Sequence, residues 1–184
     1  ENCLSVLGSG NCLLGTRGIR FLSGESYGRN EEFGWSVPNS DVAMVDLVGH
    51  AWFFPKSLAL EFHNQSADFS SVTNTSGEDF HIAFSAQKAN MPVLVPPHPS
   101  ENPEMWGSNP CYGKKFGIHR ESISLHPDSL RLFTRCLKHY VRRGWKLYNL
   151  DCLSRRTIAD SLREYPVLRS IKTRFARILG LSNR

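Results

Sequence analysis

Residues 77–88 read GEDFHIAFSAQK, and soon afterwards the apolar run Pro92 to Val95 enters the turn Pro96-Pro97-His98-Pro99. This stretch limits the possible folds more than any other. Phe80, Ala83, Phe84 and Gln87 share one face at helical spacing. Asn90 and Pro92 stop the helix near Ala89, and Pro92 to Val95 is short and apolar enough only for a buried central strand. A helix opened by an acidic pair, followed by a buried strand and a rigid turn, can aim the Glu78 and Asp79 carboxylates into a cleft at the edge of a sheet. Ser76 stands three residues before Asp79, the spacing of a capping box with Asp in place of Glu, so a helix-capping role fits the same residues. The amides and dipole of a helix N-terminus are expected to lower both pKa values and keep Asp79 ionised.

The rest of the chain alternates strand and helix signals in α/β fashion. Cys12 to Leu22 reads as a strand in which Gly15 and Gly18 mark a bend or a close backbone approach. Ser23 to Ser40 is rich in Gly, Ser, Glu and Asn and reads as an exposed loop anchored by Trp35. Asp41 to Val48 forms a second strand, Gly49 gives a tight passage into His50 to Phe54, and Pro55 starts a short helix over Lys56 to Phe62. Pro96 to Phe116 is a long loop rich in Pro and Gly. Pro127 opens a helix through Arg143 with Leu130, Phe133, Leu137 and Val141 facing a core. Gly144 ends that helix, and Trp145 to Leu150 reads as a final strand.

A chain of 184 residues, 40% hydrophobic and carrying eleven Phe, five Tyr and four Trp, buries a real core and is not a disordered polymer. No apolar stretch approaches the roughly 18 residues of a membrane span, and Glu1 to Leu14 lacks the basic start of a signal peptide. The net charge of +5 is local. Residues 1–152 hold 14 Lys and Arg against 15 Asp and Glu, whereas Leu153 to Arg184 holds eight basic residues against Asp160 and Glu164. That amphipathic tail offers a surface for phosphate, anionic membrane or an acidic partner, or is a solvated helix face. Nucleic acid is not expected, because Tyr165 and Phe175 are its only stacking residues and no known motif organises its Arg side chains.

Five cysteines (Cys3, Cys12, Cys111, Cys136, Cys152) show no metal-ligand spacing, while Cys3 with Cys12, or Cys136 with Cys152, are possible disulfide pairs. Two sequons, Asn64-Gln65-Ser66 and Asn74-Thr75-Ser76, point weakly to a lumenal or secreted setting.

The strand-like VAMVDLVGHAWFF (Val42 to Phe54), followed by GEDFHIAFSAQK and the PPHP turn, resembles the second half of a GT-A glycosyltransferase catalytic domain. The likeness is to exostosin-like enzymes and to small enzymes of the family-2-like group, and it covers roughly Gly15 to Leu150. It implies a Rossmann-related mixed sheet flanked by helices over residues 1–152, followed by the basic tail at 153–184. The activity implied is transfer of a sugar from a nucleotide-sugar donor to a hydroxyl acceptor, probable partners being that donor and a glycan. A eukaryotic enzyme of this kind belongs in the Golgi or ER lumen, any other in the cytoplasm, with membrane contact only through the basic tail. No Asp-x-Asp occurs in the chain, and Glu31-Glu32 and Asp41 through Asp46 are poor substitutes for that donor-diphosphate metal motif. The expectation is therefore that a nucleotide-binding half precedes this segment or is a separate chain, and that the segment alone is catalytically weak. The other reading is a noncatalytic carbohydrate-binding or interaction domain that keeps the pocket and lacks the donor half.

The same resemblance implies that Asp79 is the carboxylate at the start of the helix facing the acceptor, with Glu78 in support. In inverting enzymes this group deprotonates the attacking hydroxyl; in retaining ones it contacts the sugars. It also implies that His50 and Trp52 line the donor and acceptor pocket. Trp52 offers a flat apolar face to a sugar, or is a core aromatic beside Phe53 and Phe54, and His50 can bond a hydroxyl or phosphate. By the same analogy His98 is a third ligand of a divalent ion such as Mn²⁺, with His119 and His126 as further candidates. The loop Ser100 to Arg120 carries Trp106, Lys114, Lys115 and Arg120. It reads as a substrate-binding lid whose Arg120 holds phosphate bidentately, or as a solvated loop.

Overall fold

The computed structural model describes residues 10–35, 37–65, 77–103 and 126–148. They form a curled mixed sheet flanked by helices: β1 (Leu13–Phe21), β2 (Asn30–Gly34), β3 (Ala43–Met44), β4 (Leu47–Phe53), α1 (Lys56–Asn64), α2 (Glu78–Lys88), β5 (Val93–Val95) and α3 (Ser129–Arg142). The expected α/β architecture is present.

Strand β1 organises the sheet. It pairs antiparallel with β4 from Leu14 to Ile19 and with β2 from Arg17 to Phe21, and parallel with β5 at Leu13 and Leu14. Because the β4 pairing overlaps both others, β2 and β5 share the opposite edge of β1. The antiparallel β3–β5 pair completes the sheet. The two glycines of β1 are sites of close approach. A Cβ at Gly15 would lie 2.4 Å from Val48 Cβ, and one at Gly18 would lie 2.4 Å from Val95 Cγ2.

Three expectations are corrected. The stretch Ser23 to Ser40 contains β2, whose Asn-Glu-Glu-Phe-Gly sequence has little strand propensity and is held by pairing with β1. The strand at Asp41 to Val48 is two pieces, β3 and β4, and β4 runs on through Gly49 to Phe53. Trp145 to Tyr148 is not a strand: Trp145 and Leu147 are buried, and the Tyr148 N–H bonds a side chain rather than a ladder.

Helix α2 is the centre of the core. Its residues 80–86 are all buried, so it lacks the single apolar stripe that the sequence suggested and behaves as a helix enclosed on all sides. Phe80 packs against Phe21, Tyr27, Phe133 and Trp145 with ring centroids 5.9 to 6.3 Å apart. Helix α3 buries Cys136, Leu137 and Tyr140 and packs Phe133 and Val141 against the core, so three of the four expected core residues face it, whereas Leu130 in the first turn is 54% exposed. Cys12 and Cys136 are buried free thiols, not disulfide partners, and burial pushes both up to about 11.

Two buried polar groups tie the layers together. Asp46 accepts from the Phe21 N–H (2.7 Å) and the Tyr148 N–H (2.5 Å), joining β1 to the segment after α3. His81, fully buried on α2, has Nδ1 3.0 Å from the Tyr140 hydroxyl and Nε2 3.1 Å from the Phe62 carbonyl. A carbonyl only accepts, so Nε2 carries the proton and Nδ1 of the neutral ring accepts from Tyr140. One side chain thus links α1, α2 and α3. His81→Ala is expected to destabilise the fold by about 3 kcal/mol in denaturant unfolding, through a cavity and two lost buried hydrogen bonds. A change under about 0.5 kcal/mol would remove it from the core account.

Candidate functional site

Helix α2 brings its N-terminus against β4. Its N-cap is Gly77 at φ +107°, a left-handed conformation that a side chain would strain, and no side chain caps the helix. Ser76, the other half of the expected capping box, lies outside the described residues; helical geometry begins at Glu78, which makes Asp79 the second helical residue. Its carboxylate is left to face the sheet. A Cβ placed on Gly49 would lie 3.5 Å from Asp79 Oδ2.

On the facing strand, Gly15 pairs with Trp52 and Arg17 with Gly49, so His50 and Ala51 together oppose Thr16 alone. This is a β-bulge, and His50 takes it up at φ +69°. The tight passage expected at Gly49 thus falls on the next residue, a non-glycine in a sparsely populated region. The bulge brings the His50 ring to 4.2 Å from that of Trp35, centroid to centroid. Trp52 is half-buried and packs against the core, so its aromatic body serves the fold while its indole N–H lies on the Asp79 side.

Four charges set the electrostatics. Burial is the largest influence on Asp79 and the adjacent Glu78 the next, and together they push its carboxyl up to about 7; the Trp52 indole and the Arg17 guanidinium pull against this. The expectation of a lowered pKa is overturned, because desolvation outweighs the helix amides and dipole. Trp52 Nε1 nonetheless closes no regular hydrogen bond and is buried without a partner, as are Trp35 Nε1 and Arg17 Nε. Burial, with the Arg17 charge, lowers the pKa of His50, favouring neutral imidazole. Arg17 is itself held by Glu32 across β1 and β2, Nη2 to Oε1 2.6 Å.

Asp79, Glu78, His50 and Trp52 therefore come together at one end of the sheet. Arg17, Glu32 and Trp35 join them and were not expected there. The readable signals were Trp35 as the anchor of its loop and Arg17 set between Gly15 and Gly18 on a strand. Their convergence depends on β2 pairing, which the composition of residues 23–40 hides.

His98 lies elsewhere. It is fully buried, its Nδ1 is 2.6 Å from the Pro96 carbonyl, and its backbone forms a bridge with Asn39. His126 accepts a hydrogen bond from the Asp128 N–H at 3.2 Å. Among the described residues no group of three His, Cys, Asp or Glu side chains is placed to hold a metal ion. Trp106, Lys114, Lys115, His119, Arg120 and the tail at 153–184 lie outside the described residues. Among those described, no helix is long and apolar enough to cross a membrane.

A carboxyl titrating near neutrality beside an indole face and a neutral imidazole can take up and release a proton at physiological pH and can bind a hydroxylated ligand. No known protein family, curated protein or solved structure gives a significant match to this chain.

Proposed function

We propose that this chain is the acceptor-side part of a GT-A-like glycosyltransferase that moves a sugar from a nucleotide-sugar to a hydroxyl acceptor. The observation that carries the reading is the Asp79 carboxyl, held near pH 7 at the start of a buried helix and directed at the β4 bulge. A general base works best when its pKa lies near the operating pH. In an inverting transfer Asp79 accepts the acceptor hydroxyl's proton. The hydroxyl oxygen bonds to the anomeric carbon as the bond to the nucleotide diphosphate breaks, and the diphosphate leaves with the electron pair. In a retaining transfer the same carboxylate orients the sugars. Trp52 supplies an apolar face, and His50, kept largely neutral, exchanges hydrogen bonds with a hydroxyl. Glu78 keeps the Asp79 pKa high.

The test is transfer from UDP- and GDP-sugars to a panel of glycans, with and without Mn²⁺, for the full-length protein that carries this segment together with a donor-binding half, and for the same protein with Asp79→Asn. Transfer by the protein and not by the variant supports the enzyme. Glycan binding that is equal in both proteins, with transfer in neither, favours a noncatalytic carbohydrate-binding domain and refutes the catalytic role of Asp79.

A further inference from the structure

Helix α3 carries a row of cations that the candidate site does not use. Arg131, Arg135, Lys138 and Arg142 follow one another at intervals of four, three and four residues. At 100° per residue they fall within a strip about 60° wide and about 16 Å long. Arg143 adds a fifth charge beside its end. The opposite face is committed to the core through Cys136, Leu137 and Tyr140. Two carboxylates face the row, Asp128 at 3.3 Å from Arg131 and Glu25 at 2.7 Å from Lys138; both ion pairs are on the surface. Arg135 and Arg142 are exposed and form no ion pair among the described residues.

We infer that this row is a docking surface for a bilayer containing acidic lipids, beyond the sugar-transfer reading and independent of it. Together with Thr134, His139 and Arg143 the row lines an open hollow that can take the phosphates of acidic lipid headgroups. Each Lys or Arg near such a surface contributes about fivefold to partitioning. The two aromatic residues of α3, Phe133 and Tyr140, pack into the core, so the exposed face has no ring on which nucleic-acid bases stack. Leu130, at the end of the row, is the helix's one exposed large apolar side chain, too little for insertion, so the attachment is electrostatic. The 32 residues at 153–184 add eight Lys and Arg against two carboxylates, so charge of the same sign continues along the chain. Screening over the Debye length makes the attachment steeply salt-dependent.

The test is co-sedimentation of the full chain with vesicles of phosphatidylcholine alone or with about one-third phosphatidylserine, at about 100 mM and about 500 mM salt. The expected result is binding only to the acidic vesicles and only at the lower salt. Arg135→Glu with Arg142→Glu should reduce the partition coefficient at least about tenfold at an unchanged melting temperature. Three outcomes overturn the inference. The first is no dependence on the acidic lipid. The second is binding that survives this pair and is lost with Arg174→Glu and Arg177→Glu, which assigns it to the tail. The third is an oligothymidylate that binds the protein more tightly than the vesicles and displaces them, which assigns the row to nucleic acid.

Discussion

Asp79→Asn is expected to make the protein more stable at pH 8 while removing transfer activity. The folded-state pKa of Asp79 is raised from 3.8 to about 7, chiefly by burial. Between those values the folded state binds more protons than the unfolded one, so stability is greatest at acid pH and falls as pH rises through about 4 to 7. Above pH 7 the folded protein carries the full penalty of an ionised, desolvated carboxylate, on the order of 4 kcal/mol. The neutral amide has the same shape and no charge, so it escapes that penalty. Thermal or denaturant melts at pH 4.5 and pH 8 should show the variant gaining stability at the higher pH and little at the lower. Loss of a general base lowers turnover by about 10²- to 10⁴-fold. A variant less stable at both pH values, with transfer intact, would make Asp79 a structural residue.

Asp46→Ala should be strongly destabilising, by about 3–5 kcal/mol. Asp46 is 4% exposed, and its two oxygens accept the backbone N–H groups of Phe21 and Tyr148. Removing the carboxylate leaves two buried donors unpaired at about 1–3 kcal/mol each and releases the segment that carries Trp145 and Leu147 into the core. Arg20 also loses a nearby charge. Its guanidinium lies 4.2 Å from the Tyr148 ring centroid and 4.6 Å from that of Phe33, and it donates to the Met44 carbonyl at 2.8 Å. Burial holds the Asp46 pKa up to about 6 despite its two amide donors. Asp46 and Asp79 therefore act in the same direction: each contributes most stability at acid pH and loses it as pH rises toward neutrality. Denaturant unfolding of Asp46→Ala at pH 7 checks the magnitude. A loss under 1 kcal/mol would show that the segment after α3 is held by Trp145 and Leu147 in the core and by the Gln87 side chain bonded to the Lys146 backbone.

Much of the framework was readable because it rests on local rules. Pro55 sits at the N-cap of α1, Ala89 and Asn90 end α2, and Gly144 follows α3 at φ +93°. Gly15 and Gly18 marked close approach correctly. What was not readable depends on partners distant in sequence. Strand β2 exists because β1 pairs with it. The strain of the β4 turn falls on His50 because a bulge opposite Thr16 demands it. The sequence singles out nothing at His81, which joins α1, α2 and α3 through Phe62 and Tyr140. At the candidate site, the grouping of Glu78, Asp79, His50 and Trp52 was what the family resemblance implied, and the packing of α2 against β4 places Asp79 beside Gly49. The sign of the Asp79 pKa shift was not readable. The helix-terminus rule applies to solvated carboxylates, and the Asp79 carboxyl is desolvated with the Glu78 charge beside it.

The most direct measurement is an NMR titration of the Asp79 side-chain carboxyl in the intact protein, assigned by comparison with Asp79→Asn. The account requires a midpoint about 7 that moves lower in Glu78→Gln, because the neighbouring negative charge helps to raise it. A midpoint at or below 4 would contradict the account, leaving Asp79 an ordinary ionised residue at a helix N-terminus.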